Sequence, residues 1–251
     1  MLTIGIKKHQ VTSHFTLSNI QIKVKSGEIY ALIGKSGSGK STIATLLVGL
    51  KYDADYSIKI HSKELNDGMD RLIPQFKQAG YVPQTLHLKP HHSVYNYAEV
   101  LFQYVPNAQQ EAVITKYLKQ FYLIKQKDTK VAHLSGGERQ KLALLEAISQ
   151  PIDYLVLDEP FSQLDTEQKL EFSTIIASVV AERAIPCVLI SHDLTDILQL
   201  SQSVGIMEKG KLVFQGSWDK FKLSTNLLVL SLKQAILNWD DQMKGVINSL
   251  R

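Results

Sequence analysis

The sequence has only one cysteine, Cys187, so it can form no intrachain disulfide and gives no sign of an oxidising compartment. It contains no apolar run near the ~20 residues that a membrane-spanning helix needs. Its first ten residues lack the apolar core of a signal peptide. Lys and Arg (28) nearly balance Asp and Glu (24), and a charge of +4 does not favour nucleic acid as a partner. We therefore expect a cytoplasmic chain whose contact with a membrane goes through a partner.

Apolar residues are present in the amount that a large core needs. They make up 44% of the chain, which is enough for a sizeable core. A length of 251 residues suits one large α/β domain or one domain with an inserted lobe. Ile20, Ile22 and Val24 alternate with polar residues, as in a half-buried strand. The segment "EIYALIG" predicts a strand buried on both faces. "DYLVLDEP" and "IPCVLISHD" predict two more such strands, separated by a helix over about 167–184, which is typical of a parallel sheet.

The middle and the end of the chain have helical patterns. Residues from about 85 to 150 predict helices with no strand between them, and therefore a helical lobe inserted into the domain formed by residues 1–216. Residues 217–251 predict a helical tail. One face of that tail is apolar, and it either packs on the core or contacts a partner subunit. The residues of this face are Leu228, Leu232, Ile236 and Trp239.

A glycine-rich segment matches the pattern G-x-x-x-x-G-K-[ST] between a predicted strand and a predicted helix. Glycines let backbone N–H groups approach a triphosphate, and the N-terminus of the helix adds unpaired N–H groups and its positive dipole end. Lys40 would lie near the β- and γ-phosphates, and the Ser41 hydroxyl would coordinate Mg²⁺. An ordinary glycine turn does not account for the full pattern. The predicted nucleotide-binding residues are Gly34, Lys35, Ser36, Gly37, Ser38, Gly39, Lys40, Ser41 and Thr42.

An acidic pair follows the predicted strand "YLVL". Ligands of open α/β sheets bind at the carboxyl ends of the strands, which is where Asp158 and Glu159 are expected to lie. Asp158 is suited to bind Mg²⁺, and Glu159 can activate the attacking water as a general base. The same two residues can also cap the next helix. The phosphate loop upstream favours the catalytic interpretation.

Taken together, these motifs resemble those of the ATP-binding subunits of ABC transporters. The resemblance covers nearly all of residues 1–216 and rests on "GKSGSGKST", "YVPQ", "LSGGERQ", "YLVLDEP", "SQLD" and "ISHD", in this order. It implies ATP and Mg²⁺ as cofactors. It also implies an α/β fold with a P-loop NTPase core, a mainly parallel sheet, an N-terminal antiparallel β subdomain and an inserted helical lobe.

The second glycine motif, "LSGGE", is explained by the resemblance. Two subunits, identical or different, would pair head to tail, with each ATP between the phosphate loop of one and this motif of the other. Ser135, Gly136 and Gly137 would then face the γ-phosphate in the partner's site, and Asp165 would lie across the dimer interface. A serine that caps an ordinary helix describes the same geometry for Ser135, and Asp165 can likewise be a helix cap.

Further roles also follow from the resemblance. Gln84 would contact Mg²⁺ and the attacking water. His192 would contact the γ-phosphate and hold Glu159 and the water in line. The family stacks an aromatic residue on adenine from a loop upstream of the phosphate loop. This region lacks tyrosine and tryptophan, so His9 is the first candidate for that contact and Phe15 the second.

The function implied is ATP hydrolysis that powers solute transport through separate integral-membrane permease subunits. The length of a single cassette and the segment "DEPFSQLD" favour an importer, which would add a solute-binding protein as a partner. The subunit would then lie on the cytoplasmic face of the membrane. The alternative is a soluble regulator or remodelling factor. A nucleotide-binding scaffold without turnover is disfavoured by Glu159 and His192.

Overall fold

The computed structural model describes residues 1–51, 55–65, 76–198, 200–226 and 229–234. The strands are β1 (Leu2–Thr12), β2 (Phe15–Val24), β3 (Ile29–Gly34), β4 (Tyr56–Ile60), β5 (Lys63–Glu64), β6 (Ala79–Val82), β7 (Tyr154–Asp158), β8 (Cys187–Ser191), β9 (Ser203–Glu208) and β10 (Lys211–Ser217). The α-helices are α1 (Lys40–Leu47), α2 (Val94–Leu101), α3 (Asn107–Gln120), α4 (Gly136–Ile148), α5 (Thr166–Arg183), α6 (Leu194–Leu198) and α7 (Trp218–Leu223).

The N-terminal strands form an antiparallel sheet in the order β2–β1–β4–β5. In β2, Ile20, Ile22 and Val24 are buried while the residues between them are exposed, as the alternation predicts. β1 pairs along its length with β2 and buries Leu2 and Ile4 on the same side of the sheet. The predicted antiparallel subdomain is confirmed.

The central sheet has the order β10–β9–β3–β8–β7–β6. Its inner pairs are parallel, and β10 runs antiparallel to β9 at one edge. Every residue of β7 and β8 is buried, as continuous apolar runs in a parallel sheet should be. Because β3, β8 and β7 are neighbours, their carboxyl ends emerge together at one edge of the sheet. The predicted mainly parallel core is confirmed.

The segment between β6 and β7 is helical. It contains α2, α3, two short 3₁₀ helices at Ile124–Gln126 and Val131–His133, and α4. The Ser93 hydroxyl caps α2 by accepting a hydrogen bond from the backbone N–H of Asn96. Phe102 stacks on Tyr117 at 5.0 Å between ring centroids, which joins the end of α2 to α3. The helices lie where the sequence predicts the inserted lobe.

The start of the C-terminal segment packs on the core. The Trp218 indole donates a hydrogen bond to the Ser201 carbonyl at 2.8 Å, and the Phe221 side chain is buried. Residues 229–234 are helical, and Val229 is buried. Three residues of the predicted apolar face, Leu228, Ile236 and Trp239, lie outside the described residues. Within the described part of the chain, no helix is both long and apolar enough to cross a membrane.

Gly210 connects both sheets to the phosphate loop. It occupies the turn between β9 and β10 with φ +78°. Its carbonyl accepts a hydrogen bond from the N–H of Ser18 in β2, and its N–H donates a hydrogen bond to the carbonyl of Ser38 in the phosphate loop. A Cβ at this position would lie 2.1 Å from the Thr16 carbonyl oxygen. The position therefore requires glycine for its conformation and for the close approach of β2.

We expect Gly210→Ala to lower the free energy of unfolding by about 3 kcal/mol, because the added Cβ combines left-handed strain with displacement of β2. Gly27→Ala is the matched control: Gly27 has φ +73° but open space around its Cβ position. It should cost only about 1 kcal/mol. Urea titrations of both variants measure the difference. Equal losses would show that the contact with Thr16 is unimportant.

Candidate functional site

The phosphate loop is curled tightly between β3 and α1. Gly37 and Gly39 have φ of +75° and +105°, and Gly39 immediately precedes α1. The Lys40 ammonium donates to the carbonyl oxygens of Gly34 at 2.7 Å and Lys35 at 3.1 Å, and only 6% of Lys40 is exposed. Burial lowers the pKa of Lys40, while Glu159 and Asp158 oppose that shift. The loop is therefore shaped to surround an anion.

A cavity of about 510 Å³ opens above this loop. Its size lies within the ~300–1,000 Å³ typical of small-molecule sites. It brings together residues that are far apart in the sequence, from the phosphate loop, the end of β6, the end of β7 and the end of β8. Its lining residues are Val11, Phe15, Ser36, Gly37, Gly39, Lys40, Ser41, Thr42, Gln84, Glu159 and His192.

Asp158 and Ser41 meet at the floor of the site. The Ser41 hydroxyl donates to Asp158 Oδ1 at 3.3 Å, and Asp158 is only 3% exposed. Burial raises the pKa of the Asp158 carboxyl, and the hydrogen bond from Ser41 opposes this. A hydroxyl and a carboxylate beside a helix N-terminus are oxygen donors of the kind that Mg²⁺ prefers, and Gln84 adds an amide oxygen nearby. The donor set therefore fits Mg²⁺.

Glu159 and His192 form the second polar pair of the cavity. His192 Nδ1 lies 2.7 Å from Glu159 Oε2. Glu159 adopts a left-handed backbone conformation with φ +54°, and its N–H donates to the Ile190 carbonyl. Left-handed conformations at non-glycine residues concentrate at functional sites. The side chain of His192 is 65% exposed, whereas that of Glu159 is 9% exposed. The geometry holds a buried carboxylate under an accessible imidazole.

The structure does not place His9 in this cavity. His9 lies within β1 opposite Leu17 and is 7% exposed, whereas Val11 and Phe15 line the cavity beside the phosphate loop. The adenine contact stays a prediction, and of its two candidates only Phe15 is among the residues that line this cavity. Val11 lies near the end of β1 and Phe15 begins β2, so the two strand ends around the turn are next to the phosphate loop.

The second glycine motif lies outside the cavity. Ser135 caps α4: its hydroxyl accepts from the Glu138 N–H at 3.2 Å, and Glu138 Oε2 accepts from the Ser135 N–H at 2.8 Å. Gly137 lies against Gln168, since a Cβ would come within 2.9 Å of Gln168 Oε1. Asp165 caps α5 by accepting from the Gln168 N–H. Ser135, Gly136, Gly137 and Asp165 are therefore clustered, and none of them belongs to the described lining of the Lys40 cavity.

Two features of the site were not predicted from the sequence. Val11 lines the cavity, although no motif identified it. Lys169 of α5 contacts Asp196 of α6 at 2.6 Å, next to the His192 segment. The cap at Asp165 and the helical spacing after it place Lys169 on the first turn of α5, but nothing in the sequence indicates its partner.

The chain is similar to a large group of known proteins. The family model described as ABC transporter matches residues 17–162. The molybdenum import ATP-binding protein ModC of Paramagnetospirillum magneticum is 30% identical over 86% of this chain and 59% of its own length. The sulfate/thiosulfate import ATP-binding protein CysA of Nocardia farcinica is 30% identical over 92% of this chain and 70% of its own length. The chain thus spans about three fifths of the first of these relatives.

Solved structures share the fold. An ATP-binding cassette in a dimeric post-hydrolysis state bound to ADP and Pi superposes with a TM-score of 0.73 at 20% identity, covering 86% of this chain and 98% of that chain. The ATP-binding subunit of an ABC transporter superposes with a TM-score of 0.74 at 24% identity, covering 88% of this chain and 92% of that chain. These similarities establish the architecture.

We expect Asp158→Asn to raise the thermal midpoint at pH 7 without nucleotide and to remove most of the stabilisation by MgATP. Because the pKa of Asp158 is raised in the folded protein, the folded state binds a proton at this carboxyl more tightly than the unfolded chain does. The contribution of Asp158 to the free energy of unfolding therefore falls as pH rises. The gain from Asn should therefore shrink towards about pH 4, near the ordinary carboxyl pKa. Asp219→Asn, at an exposed carboxylate, is the control. A lower midpoint at pH 7, or an intact response to MgATP, would contradict this.

Proposed function

The chain belongs to the ABC transporter family, and from that premise we propose that it binds and hydrolyses ATP to power solute transport through a separate membrane permease. The observation that carries the proposal is the cavity in which Lys40, Ser41, Glu159 and His192 converge, with Asp158 beneath them. These groups bind phosphate, hold a metal ion and orient water.

Hydrolysis follows from the position of these groups. Lys40 and the N-terminus of α1 hold the β- and γ-phosphates and stabilise the charge on the transferring group. Ser41, Asp158 and Gln84 would hold Mg²⁺, which supplies further charge neutralisation when bound. Glu159 accepts a hydrogen bond or proton from the water whose oxygen attacks the γ-phosphorus, while the bond to the bridging oxygen breaks and ADP leaves. His192 keeps the Glu159 carboxylate in place.

A second subunit would complete each site. α4 begins at Gly136, directly after its cap Ser135, and the N-terminus of a helix favours an anion through its dipole and its unpaired N–H groups. These groups lie outside the subunit's own cavity. A head-to-tail dimer would bring them to the γ-phosphate held by the partner. A dimeric cassette bound to ADP and Pi among the structural relatives supports the presence of a second ATPase subunit.

The membrane permease would dock at a groove of about 610 Å³ beside the helical segment. Its walls are largely apolar and include Tyr81, Ile152 and Ala147 of α4. Pro83 lines this groove and the next residue, Gln84, lines the nucleotide cavity. The adjacency supports a coupling between the two surfaces. Docking to a permease would put the subunit on the cytoplasmic face of the membrane.

Import is the proposed direction of transport. The matched relatives are named as import ATP-binding proteins for molybdenum, iron(III) and sulfate or thiosulfate. Their names support this function over a soluble regulator, and an importer would receive its solute from a solute-binding protein. The cargoes of these relatives differ, so the solute is not assigned.

We expect Lys40→Ala and Ser135→Arg subunits to be inactive alone but to regain turnover when mixed. A mixed dimer has one intact site, because it joins an intact phosphate loop to an intact Ser135. Half of the dimers in an equal mixture are mixed, so about a quarter of wild-type phosphate release should return. The control is a double variant that carries both Lys40→Ala and Ser135→Arg in one chain. Mixed with the Lys40→Ala subunit, it should restore no turnover, because no phosphate loop in the mixture is intact. Absence of recovery in pre-mixed, refolded samples would contradict the shared site.

For the groove, we expect Ala147→Arg to release the tagged chain from a membrane fraction, because a charged side chain would fill the docking surface. Ala112→Arg, an equivalent change at an exposed position of α3, should leave the association intact. The measurement is the amount of one polytopic membrane protein that co-purifies with each variant. Equal recovery with both variants would contradict docking at this groove.

A further inference from the structure

Lys169 joins the first turn of α5 to the segment that carries His192. Its ammonium lies 2.6 Å from Asp196 Oδ1 and 3.8 Å from Asp193 Oδ2. Asp193 directly follows His192, and Asp196 lies in the short helix α6. The side chain of Asp196 is 7% exposed, whereas those of Lys169 and Asp193 are 29% and 42% exposed. One cation therefore contacts both carboxylates that follow His192.

The same turn of α5 also carries the residue proposed to lie at the dimer interface. The backbone N–H of Lys169 donates to the Asp165 carbonyl at 2.9 Å, and the Asp165 side chain accepts from the N–H of Gln168. Asp165 and Lys169 are thus the two ends of one hydrogen-bonded helical turn. A displacement of Asp165 would move Lys169 with it.

The contact has a physical consequence for His192. Burial raises the pKa of Asp196, and the hydrogen bond from Lys169 is the first interaction that opposes this. Without the lysine, a nearly buried carboxylate would have to take up a proton or move towards water. The side chain of His192 is 65% exposed, so packing does little to fix it. A shift of α6, which begins two residues later, would therefore reach His192 directly.

We propose that Lys169 is a positioning residue, which holds the His192 segment against α5 so that His192 Nδ1 stays in contact with Glu159 Oε2. The inference rests on the proposed function for the role of Glu159 and His192 in hydrolysis. Lys169 itself contacts neither nucleotide nor water in this scheme.

Steady-state ATP hydrolysis by the full chain tests whether Lys169 positions His192. Lys169→Met removes the charge and nearly keeps the length of the side chain. It should lower kcat about 10-fold and leave KM for ATP within about twofold of wild type, because it misplaces a group that acts in the chemical step. Lys169→Arg should stay within about threefold of wild type, since the cation is kept. Lys222→Met is the matched control at an exposed ion pair and should change neither kcat nor KM.

Long-range ¹H–¹⁵N spectra of the histidine rings provide a readout that needs no turnover. The His192 signals are assigned by their loss in His192→Gln. Lys169→Met should shift them and leave the other imidazole signals in place, while Lys169→Arg should retain the wild-type positions. If wild type hydrolyses no ATP, the proposed function fails, but this spectrum still decides the positioning role.

Asp196→Asn provides a second route in case Lys169→Met folds poorly. It removes the carboxylate that requires the cation, and it should lower kcat to a similar extent. The double variant should be no worse than either single variant, because both changes break one contact. A kcat for Lys169→Met within twofold of wild type, unshifted His192 signals, or fully additive losses would each overturn the proposal.

Discussion

The parallel pairing of β3, β8 and β7 is the constraint on which the site depends. Ile33 lies opposite Ser191, and Asp158 lies opposite Ile190, so three chain segments leave the sheet at the same level. The phosphate loop follows β3, Asp158 ends β7 with Glu159 directly after it, and His192 follows β8. A slip of one residue would move every side chain of a strand to the opposite buried face, against different neighbours, so packing on both faces fixes the register. The geometry of the polar site is therefore set by residues that have no part in the chemistry.

Three charged side chains of the site lie within a small buried volume. Lys40, Asp158 and Glu159 are each less than a tenth exposed. Burial shifts the pKa of Lys40 down and that of Asp158 up, and each charge opposes the shift of the other. Two carboxylates against one ammonium leave an excess of negative charge, which a divalent cation entering with a nucleotide would offset. The same arrangement explains why the donor set favours a metal complex of the nucleotide.

The parts of the fold that sequence reasoning predicted are those with a strong local pattern. The buried strands β3, β7 and β8 are continuous apolar runs that end in polar residues, and the phosphate loop has a spacing that few other structures share.

β6 was not predicted, since it is short and contains a glycine, Gly80. A Cβ added at this position would come within 2.6 Å of the Ile152 side chain. Its pairing with β7 defines it, not its own composition. Spacing from Lys40 does not reveal where β1 ends, so the sequence ranked His9 ahead of Phe15, whereas Phe15 is the candidate that lines the cavity. The contact of Lys169 with Asp196 depends on how α5 packs beside α6, which no local pattern encodes.

The two carbonyl bonds of Lys40 have a consequence for ligand selection. Two of the three N–H donors of the ammonium are engaged by the Gly34 and Lys35 carbonyls, so one donor remains for an incoming anion. A small monovalent anion can accept from that one donor only. A polyphosphate offers several oxygens at once and can accept from neighbouring amides together with the ammonium. The fixed ammonium therefore favours ligands with several phosphate oxygens over single-atom anions.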